Sequence, residues 1–244
     1  MLLLNLRSAE STIVFSPKPH WSVADGDDMS PTEVKTYLAG KRVLVLVHGY
    51  NVVDAFDAYS RMAINIEQHA LGYDEIIGVQ WPGSKIALAF LLATARANKA
   101  GRKLQQALSI LDGVSVLDIE GHSLGCRVIC EAVVQGLRPR LIVLAGAAID
   151  SDSIHKDTEY GVHLATVPSV LIARSGRDSV LRKAYTLASW DNALGLTGPE
   201  DPTKVTANVR TIDLTEFVPE HSYYKKCEEF YLAWKATVNQ LEGD

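Results

Sequence analysis

The sequence has few cysteines and no excess of basic residues. Three cysteines in 244 residues are an odd number and offer no paired disulfide framework. Lys and Arg number 24 against 29 Asp and Glu, so the chain lacks the positive field that gathers nucleic acid. We therefore expect reduced thiols, a cytoplasmic location and no nucleic-acid partner.

Long hydrophobic runs are also missing. The longest apolar stretch, Ile86 to Ala95, has ten residues, whereas a membrane span needs about 20. The start, MLLLNLRSAES, has an uninterrupted apolar run of only three residues after Met1 and no basic segment before it, so we expect no secretory signal and no stable membrane insertion. With 47% hydrophobic and 22% charged residues, the composition is that of a folded globular chain, and we expect one domain over residues 1–244.

Short apolar runs alternate with helical patterns along most of the chain. The runs typical of buried strands are 42–47, 75–80, 114–119, 141–144, 170–173 and 208–213. The helical patterns between and after them are 54–71, 85–111, 124–135, 153–166 and 223–240. This alternation predicts an α/β fold with a mostly parallel sheet and helices on both faces.

The remaining segments give weaker predictions. Before residue 40, TIVFS and WSV indicate two short strands, and Ser30-Pro31-Thr32-Glu33 has the pattern of a capped helix start. Residues 195–202 contain two Gly and two Pro, which predicts a loop. The stretch Ile86–Ala95 has two interpretations, a helix packed on the sheet or a flap over the site.

The strongest motif is Gly121-His122-Ser123-Leu124-Gly125, which matches G-x-S-x-G between a predicted strand and a predicted helix. In so tight a turn, side chains at either glycine position would collide with neighbouring backbone. Ser123 then projects above the carboxyl edge of the sheet as a candidate nucleophile. The Leu124 N–H lies at a helix N-terminus, which favours developing negative charge.

A second motif, His48-Gly49-Tyr50-Asn51, directly follows the predicted strand that ends at Val47. A glycine at this point lets the backbone turn back toward the serine. The N–H of Tyr50 is therefore expected to face the same point as the N–H of Leu124, and together they form a two-donor oxyanion hole.

These motifs, with Trp81-Pro82-Gly83 and Gly176-Arg177-Asp178, resemble the α/β-hydrolase superfamily. Within it, the chain is similar to a bacterial group of hydrolases of unknown function. The resemblance implies an α/β-hydrolase fold with little or no cap and a triad in the chain order nucleophile, acid, histidine. It implies no particular substrate.

That order implies an acid after a strand that follows Ser123, and a histidine beyond it. Asp178 follows the strand 170–173, and His221 is the last histidine of the chain. Asp150, at the tip of the preceding strand, remains a second candidate for the acid, and otherwise it is expected to cap the next helix or to line the rim of the site. The side chain of His122 is expected to pack away from the substrate.

The expected function is hydrolysis of a carboxylic ester through an acyl-Ser123 intermediate, with no cofactor and no metal. Thioesterase, amidase or acyltransferase activity would use the same residues. A protein of another class, a catalytically silent hydrolase fold used for binding or scaffolding, is the alternative. Ester chain length and oligomeric state are not specified by the sequence.

Overall fold

The fold is built on one nine-stranded sheet in the strand order β3-β2-β1-β5-β4-β6-β7-β8-β9. The computed structural model describes residues 1–8, 11–24, 26–50, 56–83, 90–189 and 191–243. The seven strands β1, β5, β4, β6, β7, β8 and β9 pair in parallel with their neighbours in this order. The pairs β1 with β2 and β2 with β3 are antiparallel. No helix in these ranges combines the length and the apolar character needed to cross a membrane.

All strands except the 13-residue β2 have seven residues or fewer. The strands are β1 Leu2–Ser8, β2 Ser11–Val23, β3 Asp28–Met29, β4 Arg42–Val47, β5 Glu75–Gln80, β6 Val116–His122, β7 Leu141–Ala145, β8 Ser169–Arg174 and β9 Val209–Asp213.

The helices follow most of the strands as crossover connections. They are α1 Pro31–Leu38, α2 Phe56–Gln68, α3 Phe90–Leu108, α4 Leu124–Val134, α5 Glu159–Leu164, α6 Thr186–Ser189, α7 Leu194–Thr197 and α8 Glu228–Glu242. A π-helical turn, Leu181–Tyr185, precedes α6, and 3-10 turns lie at Pro202–Lys204 and Tyr223–Lys226.

Apolar layers cover both faces of the sheet because successive strand residues point to opposite sides. In β4, Val43 and Val45 contact the layer formed with α3 and α4, whereas Leu44 and Leu46 contact the layer formed with α2 and α8. The mostly parallel sheet with helices on both faces is therefore confirmed, and the six predicted strands lie within a few residues of the observed ones.

Several local predictions need correction. TIVFS and WSV belong to one strand, β2, and the first strand, β1, was not predicted. The expected helix 153–166 is a run of turns followed by α5 alone, and the C-terminal helical pattern divides into a 3-10 turn and α8. The capping box at Ser30 is confirmed, since Ser30 Oγ accepts the Glu33 N–H and Glu33 Oε2 accepts the Ser30 N–H.

The expected loop 195–202 begins with helix α7 instead. Tertiary hydrogen bonds favour the helix there: Leu194 N–H donates to Ile149 O at 2.8 Å, and Gly195 N–H donates to Ala147 O at 2.9 Å. These bonds outweigh the local preference of Gly and Pro for loops. Of the stretch Ile86–Ala95, the part up to residue 89 lies outside the described residues, and Ala93 on α3 is fully buried in the core.

Candidate active site

Ser123 occupies a strained turn between β6 and α4. Its backbone has φ 58° and ψ −125°, a positive φ that few residues other than glycine adopt. The Ser123 N–H donates to Ala145 O on the neighbouring strand at 3.0 Å, and the Ser123 carbonyl accepts the N–H of Ala148 at 3.2 Å. These bonds hold the serine at the carboxyl edge of the sheet.

The two glycines of the motif are required by close backbone approach. A Cβ on Gly121 would lie 2.6 Å from Ile129 Cδ1 and 2.9 Å from the Gly125 carbonyl carbon. A Cβ on Gly125 would lie 2.7 Å from the His48 carbonyl oxygen and would overlap that of Val47. The predicted collision is thus confirmed, while the positive φ of the turn is at Ser123 and at neither glycine.

Gly125→Val is expected to give misfolded or insoluble protein, because the new side chain would overlap the carbonyl groups at the end of β4. The measurement is the soluble yield and the melting temperature, beside Gly113→Val, where the nearest atom to an added Cβ is 4.0 Å away. A soluble Gly125→Val protein with wild-type melting temperature and activity would contradict the observed turn.

Asp178 and His221 come together beside this turn. His221 Nδ1 lies 2.6 Å from Asp178 Oδ2, and Asp178 is fully buried. The other carboxylate oxygen, Oδ1, accepts the N–H groups of Val180 and Leu181 at 3.1 and 2.9 Å. Both oxygens of the carboxylate are therefore engaged, which fixes the orientation of the His221 ring.

The loop that carries His221 is held on both sides. Ser175 Oγ donates to Val218 O at 2.6 Å, which joins the end of β8 to this loop. His122 Nε2–H donates to the His221 carbonyl at 2.7 Å, and the two imidazole rings have centroids 4.6 Å apart. Because His122 immediately precedes Ser123, this contact places His221 next to the turn that carries the serine.

His122 is neutral in this arrangement. Burial and the nearby His221 lower the pKa of the His122 imidazole to about 3. The neutral ring needs its proton on Nε2 to donate to the His221 carbonyl. His122 is therefore a structural contact of the His221 loop, a role that the sequence did not suggest.

His48 and Gly49 lie directly against Ser123. A Cβ on Gly49 would be 3.0 Å from Ser123 Cβ. His48 Nδ1–H donates to Gly49 O at 2.6 Å, and its Nε2 accepts from Arg7 Nη2 at 3.0 Å and from the Trp81 N–H at 3.3 Å. Burial and the Arg7 charge lower the pKa of His48 to about 3, so the ring stays neutral.

The bond from His48 to Gly49 O also orients the next N–H. The carbonyl of Gly49 and the N–H of Tyr50 belong to one trans peptide and point in opposite directions. When His48 holds the carbonyl, the Tyr50 N–H is fixed as well. Leu124 opens α4, and the first N–H groups of a helix have no acceptor within it. Asn51 lies outside the described residues.

Asp150 has another partner. Its Oδ1 accepts from Tyr185 Oη at 2.7 Å, and its backbone pairs with Ala193. Asp150 does not cap the next helix, because Thr158 Oγ1 accepts the Gly161 N–H at the start of α5. The expectation that Asp150 is a helix cap is therefore wrong.

Glu120, on β6 beside this site, is a buried carboxyl. It is 2% exposed, and burial raises its pKa from the ordinary 4.5 to about 8. Between those two pH values the folded chain holds a proton that the unfolded chain has released. The free energy of unfolding is therefore expected to fall by roughly 1 kcal/mol per pH unit from this group as the pH rises from 4.5 toward 8.

Glu120→Gln, which cannot ionise, is expected to remove that fall and to be more stable than the wild type at pH 7.5. Urea unfolding at pH 5, 6, 7 and 8 measures the difference. Glu131→Gln is the matched control, because Glu131 is also buried but accepts a hydrogen bond from Tyr160 Oη at 2.9 Å. Parallel stability curves for wild type and Glu120→Gln would contradict the raised pKa.

Within the described ranges, no group of three or more His, Cys, Asp or Glu side chains is placed to hold a metal ion.

Arg7, His122 and Glu120 are the site residues that sequence reasoning missed. Arg7 lies on a strand that was not predicted, 41 positions from the histidine it contacts. Glu120 belongs to β6 and was interpreted only as part of that strand, and the side chain of His122 was expected only to pack away from the substrate. A charged residue inside a buried strand was the one available signal for Glu120.

The comparisons with known proteins agree with this architecture. The model of the family described as alpha/beta hydrolase of unknown function (DUF900) matches residues 28–239. No curated protein sequence matches the chain. The structure of TT1662 from Thermus thermophilus is similar at 13% identity and a TM-score of 0.51, over 83% of this chain and 90% of that one.

Two esterase structures are also similar. A truncated carbohydrate esterase from gut microbiota has 11% identity and a TM-score of 0.49, over 85% of this chain and 87% of its own. An esterase from Pyrococcus furiosus has 12% identity and a TM-score of 0.49, over 91% and 84%. At 13% identity, the similarity to TT1662 concerns the fold alone. Since the family model spans most of its length, the chain belongs to the alpha/beta hydrolases of unknown function (DUF900).

Proposed function

We propose that this hydrolase is a serine esterase that cleaves a carboxylic ester through an acyl-Ser123 intermediate, with Ser123, Asp178 and His221 as its triad. The observation that carries the proposal is the 2.6 Å contact of His221 Nδ1 with buried Asp178, beside the strained turn of Ser123. A serine hydroxyl is a weak nucleophile by itself, so it needs an oriented base of this kind.

In the proposed reaction, His221 Nε2 takes the Ser123 hydroxyl proton while Oγ attacks the ester carbonyl carbon. His221 then gives that proton to the departing alkoxide, which leaves as the alcohol. His221 then deprotonates a water molecule that attacks the acyl-serine, and it gives this proton to Ser123 Oγ as the acyl C–Oγ bond breaks and the free acid leaves. Asp178 keeps the imidazole proton on Nδ1 and stabilises the charged ring.

The N–H groups of Tyr50 and Leu124 are the proposed oxyanion donors. Gly49, held by His48, lies against Ser123 and supports the first assignment. The position of Leu124 at the start of α4 supports the second. Each donor is worth roughly 3–4 kcal/mol of transition-state stabilisation.

Labelling of intact protein with a fluorophosphonate probe tests this function. We expect one adduct, located at Ser123 by mass spectrometry, and hydrolysis of short p-nitrophenyl esters. Labelling with turnover of thioesters or amides but not esters would keep the triad and change the substrate class. An unlabelled, folded protein would instead favour a binding or scaffold role.

A cytoplasmic location is part of the proposal. Cys126, Cys130 and Cys227 are all buried free thiols, which suits a reducing compartment. The substrate is then a small-molecule ester of that compartment.

A further inference from the structure

A small cavity lies on the face of the sheet that α2 covers. It has a volume of about 50 Å³, room for roughly four water-sized groups. Its apolar wall is formed by side chains of β4 and α2, namely Val47, Ala58, Tyr59 and Met62. Glu120 and His122 of β6 line it from the sheet, and Ser222, Tyr224 and Lys225 line it from the loop after His221. We name this space the Glu120 cavity.

The cavity adjoins the proposed catalytic groups. Gly49, His122 and Ser222 all line it, and they are the chain neighbours of Tyr50, Ser123 and His221. Gly49 also lies against Ser123, since a Cβ added to Gly49 would be 3.0 Å from Ser123 Cβ. The cavity therefore lies beside the proposed catalytic groups, although Ser123 and His221 do not themselves line it.

Most polar groups on the cavity wall already have partners. Tyr59 Oη accepts the His48 N–H at 2.9 Å and donates to Val79 O at 2.6 Å. The ring nitrogens of His48 are both engaged, and His122 Nε2 is bound to the His221 carbonyl. For the Glu120 carboxyl and for Tyr224 Oη, in contrast, no hydrogen bond is formed with any residue of the described part of the chain.

Glu120 occupies a position that otherwise belongs to the apolar layer. Its neighbours across the sheet are Leu46 on β4 and Val143 on β7, and both are fully buried. A carboxyl without a partner destabilises the fold at such a position, where a leucine would not. Residues that lower the stability of the fold in this way are typical of positions that contact a ligand.

We propose that the Glu120 cavity is a specificity subsite that receives a short, uncharged arm of the substrate ending in a hydroxyl, which hydrogen-bonds to Glu120. The proposal rests on ester hydrolysis at Ser123. A protonated carboxyl both donates and accepts a hydrogen bond, as a hydroxyl does. The aliphatic wall suits the methylene groups of the arm. Lys225, on the same cavity, disfavours an arm that ends in an ammonium group.

Matched ester pairs test the subsite at pH 6.5. On the acyl side we compare p-nitrophenyl 6-hydroxyhexanoate with p-nitrophenyl heptanoate and 6-aminohexanoate. On the alcohol side we compare 3-hydroxypropyl butyrate with butyl butyrate. In at least one of the two series, we expect the hydroxyl ester to have a kcat/KM about tenfold above that of its methyl counterpart.

Two variants and one control locate the effect. Glu120→Leu is expected to reverse the preference toward the methyl ester, and Glu120→Gln to retain part of the hydroxyl preference. Glu131→Gln, remote from the cavity, is expected to keep the wild-type ratio. Melting temperatures establish that each variant is folded. An unchanged ratio in Glu120→Leu, or a preference of the wild type for the amino ester, would overturn the subsite.

A binding measurement separates this proposal from the proposed function. The same esters are titrated into Ser123→Ala protein, with and without Glu120→Leu, and their dissociation constants are measured by NMR. If the fluorophosphonate does not label Ser123 but the hydroxyl ester binds more tightly through Glu120, the esterase proposal fails and the subsite remains. If Ser123 is labelled but neither assay shows a hydroxyl preference, the subsite is wrong.

Discussion

Replacement of Ser123 by alanine is expected to lower kcat for short p-nitrophenyl esters by roughly 10⁴–10⁶ and to leave the fold intact. The loss is large because the acyl intermediate forms on Oγ, and no other group at the turn can replace it. The methyl side chain of alanine keeps the same backbone contacts, so the structural cost is small.

The measurement is steady-state turnover together with the circular dichroism spectrum and the melting temperature. Ser109→Ala is a suitable control, because the Ser109 hydroxyl donates to Gln106 O in an exposed position after α3. The control is expected to keep wild-type activity. Near-wild-type turnover in folded Ser123→Ala protein would show that hydrolysis proceeds elsewhere.

The positive φ of Ser123 adds a second expected result. Alanine at φ 58° retains the strain of the turn, whereas glycine does not meet it. Ser123→Gly is therefore expected to be as inactive as Ser123→Ala. Its melting temperature is expected to be no lower than that of Ser123→Ala. If the two variants are equally inactive, the loss of activity is due to the missing Ser123 hydroxyl and not to a changed backbone conformation at residue 123.

Strands β4, β7 and β8 could be predicted because they are nearly unbroken runs of apolar residues. A strand such as 42–47 is buried on both faces, and nearly all of its residues are therefore apolar. The turn at Ser123 could be predicted for a similar reason, since its glycines are dictated by local steric overlap.

The N-terminal strands could not be predicted in the same way. Pro17 and Pro19 interrupt the pattern of β2, which indicated two short strands. In the structure the β1–β2 register shifts between Asn5 and Arg7, opposite the segment with both prolines. On its other side, β2 pairs with β3 only at Trp21 and Ser22. An irregular, mostly open edge tolerates proline where a central strand would not.

The contacts that hold the site depend on tertiary structure. Arg7 reaches His48 from a different strand, and Ser175 bonds to Val218 43 positions away. No local pattern encodes such pairs. The acid shows the same limit: two aspartates follow neighbouring strands, and only the three-dimensional arrangement distinguishes the contacts of Asp178 from those of Asp150.

Asp178→Asn is expected to lower kcat by about 10⁴, whereas Asp150→Asn keeps activity within a few-fold. The contacts of Asp178 explain why an isosteric amide is so harmful. Its Oδ1 accepts two N–H groups, so the amide oxygen of asparagine must take that place. The NH₂ group then faces His221 Nδ1, which must accept, and the ring proton moves to Nε2. His221 can no longer take the proton of Ser123.

The two variants are best measured side by side for kcat, KM and melting temperature. At position 150, an asparagine carbonyl can still accept the Tyr185 hydroxyl, so only a small change is expected. An additional readout is the tautomer of His221 by ¹⁵N NMR, which should change in Asp178→Asn alone. If Asp150→Asn is the inactive variant and Asp178→Asn is active, the acid of the triad is Asp150, and the 2.6 Å contact of His221 with Asp178 serves only the fold.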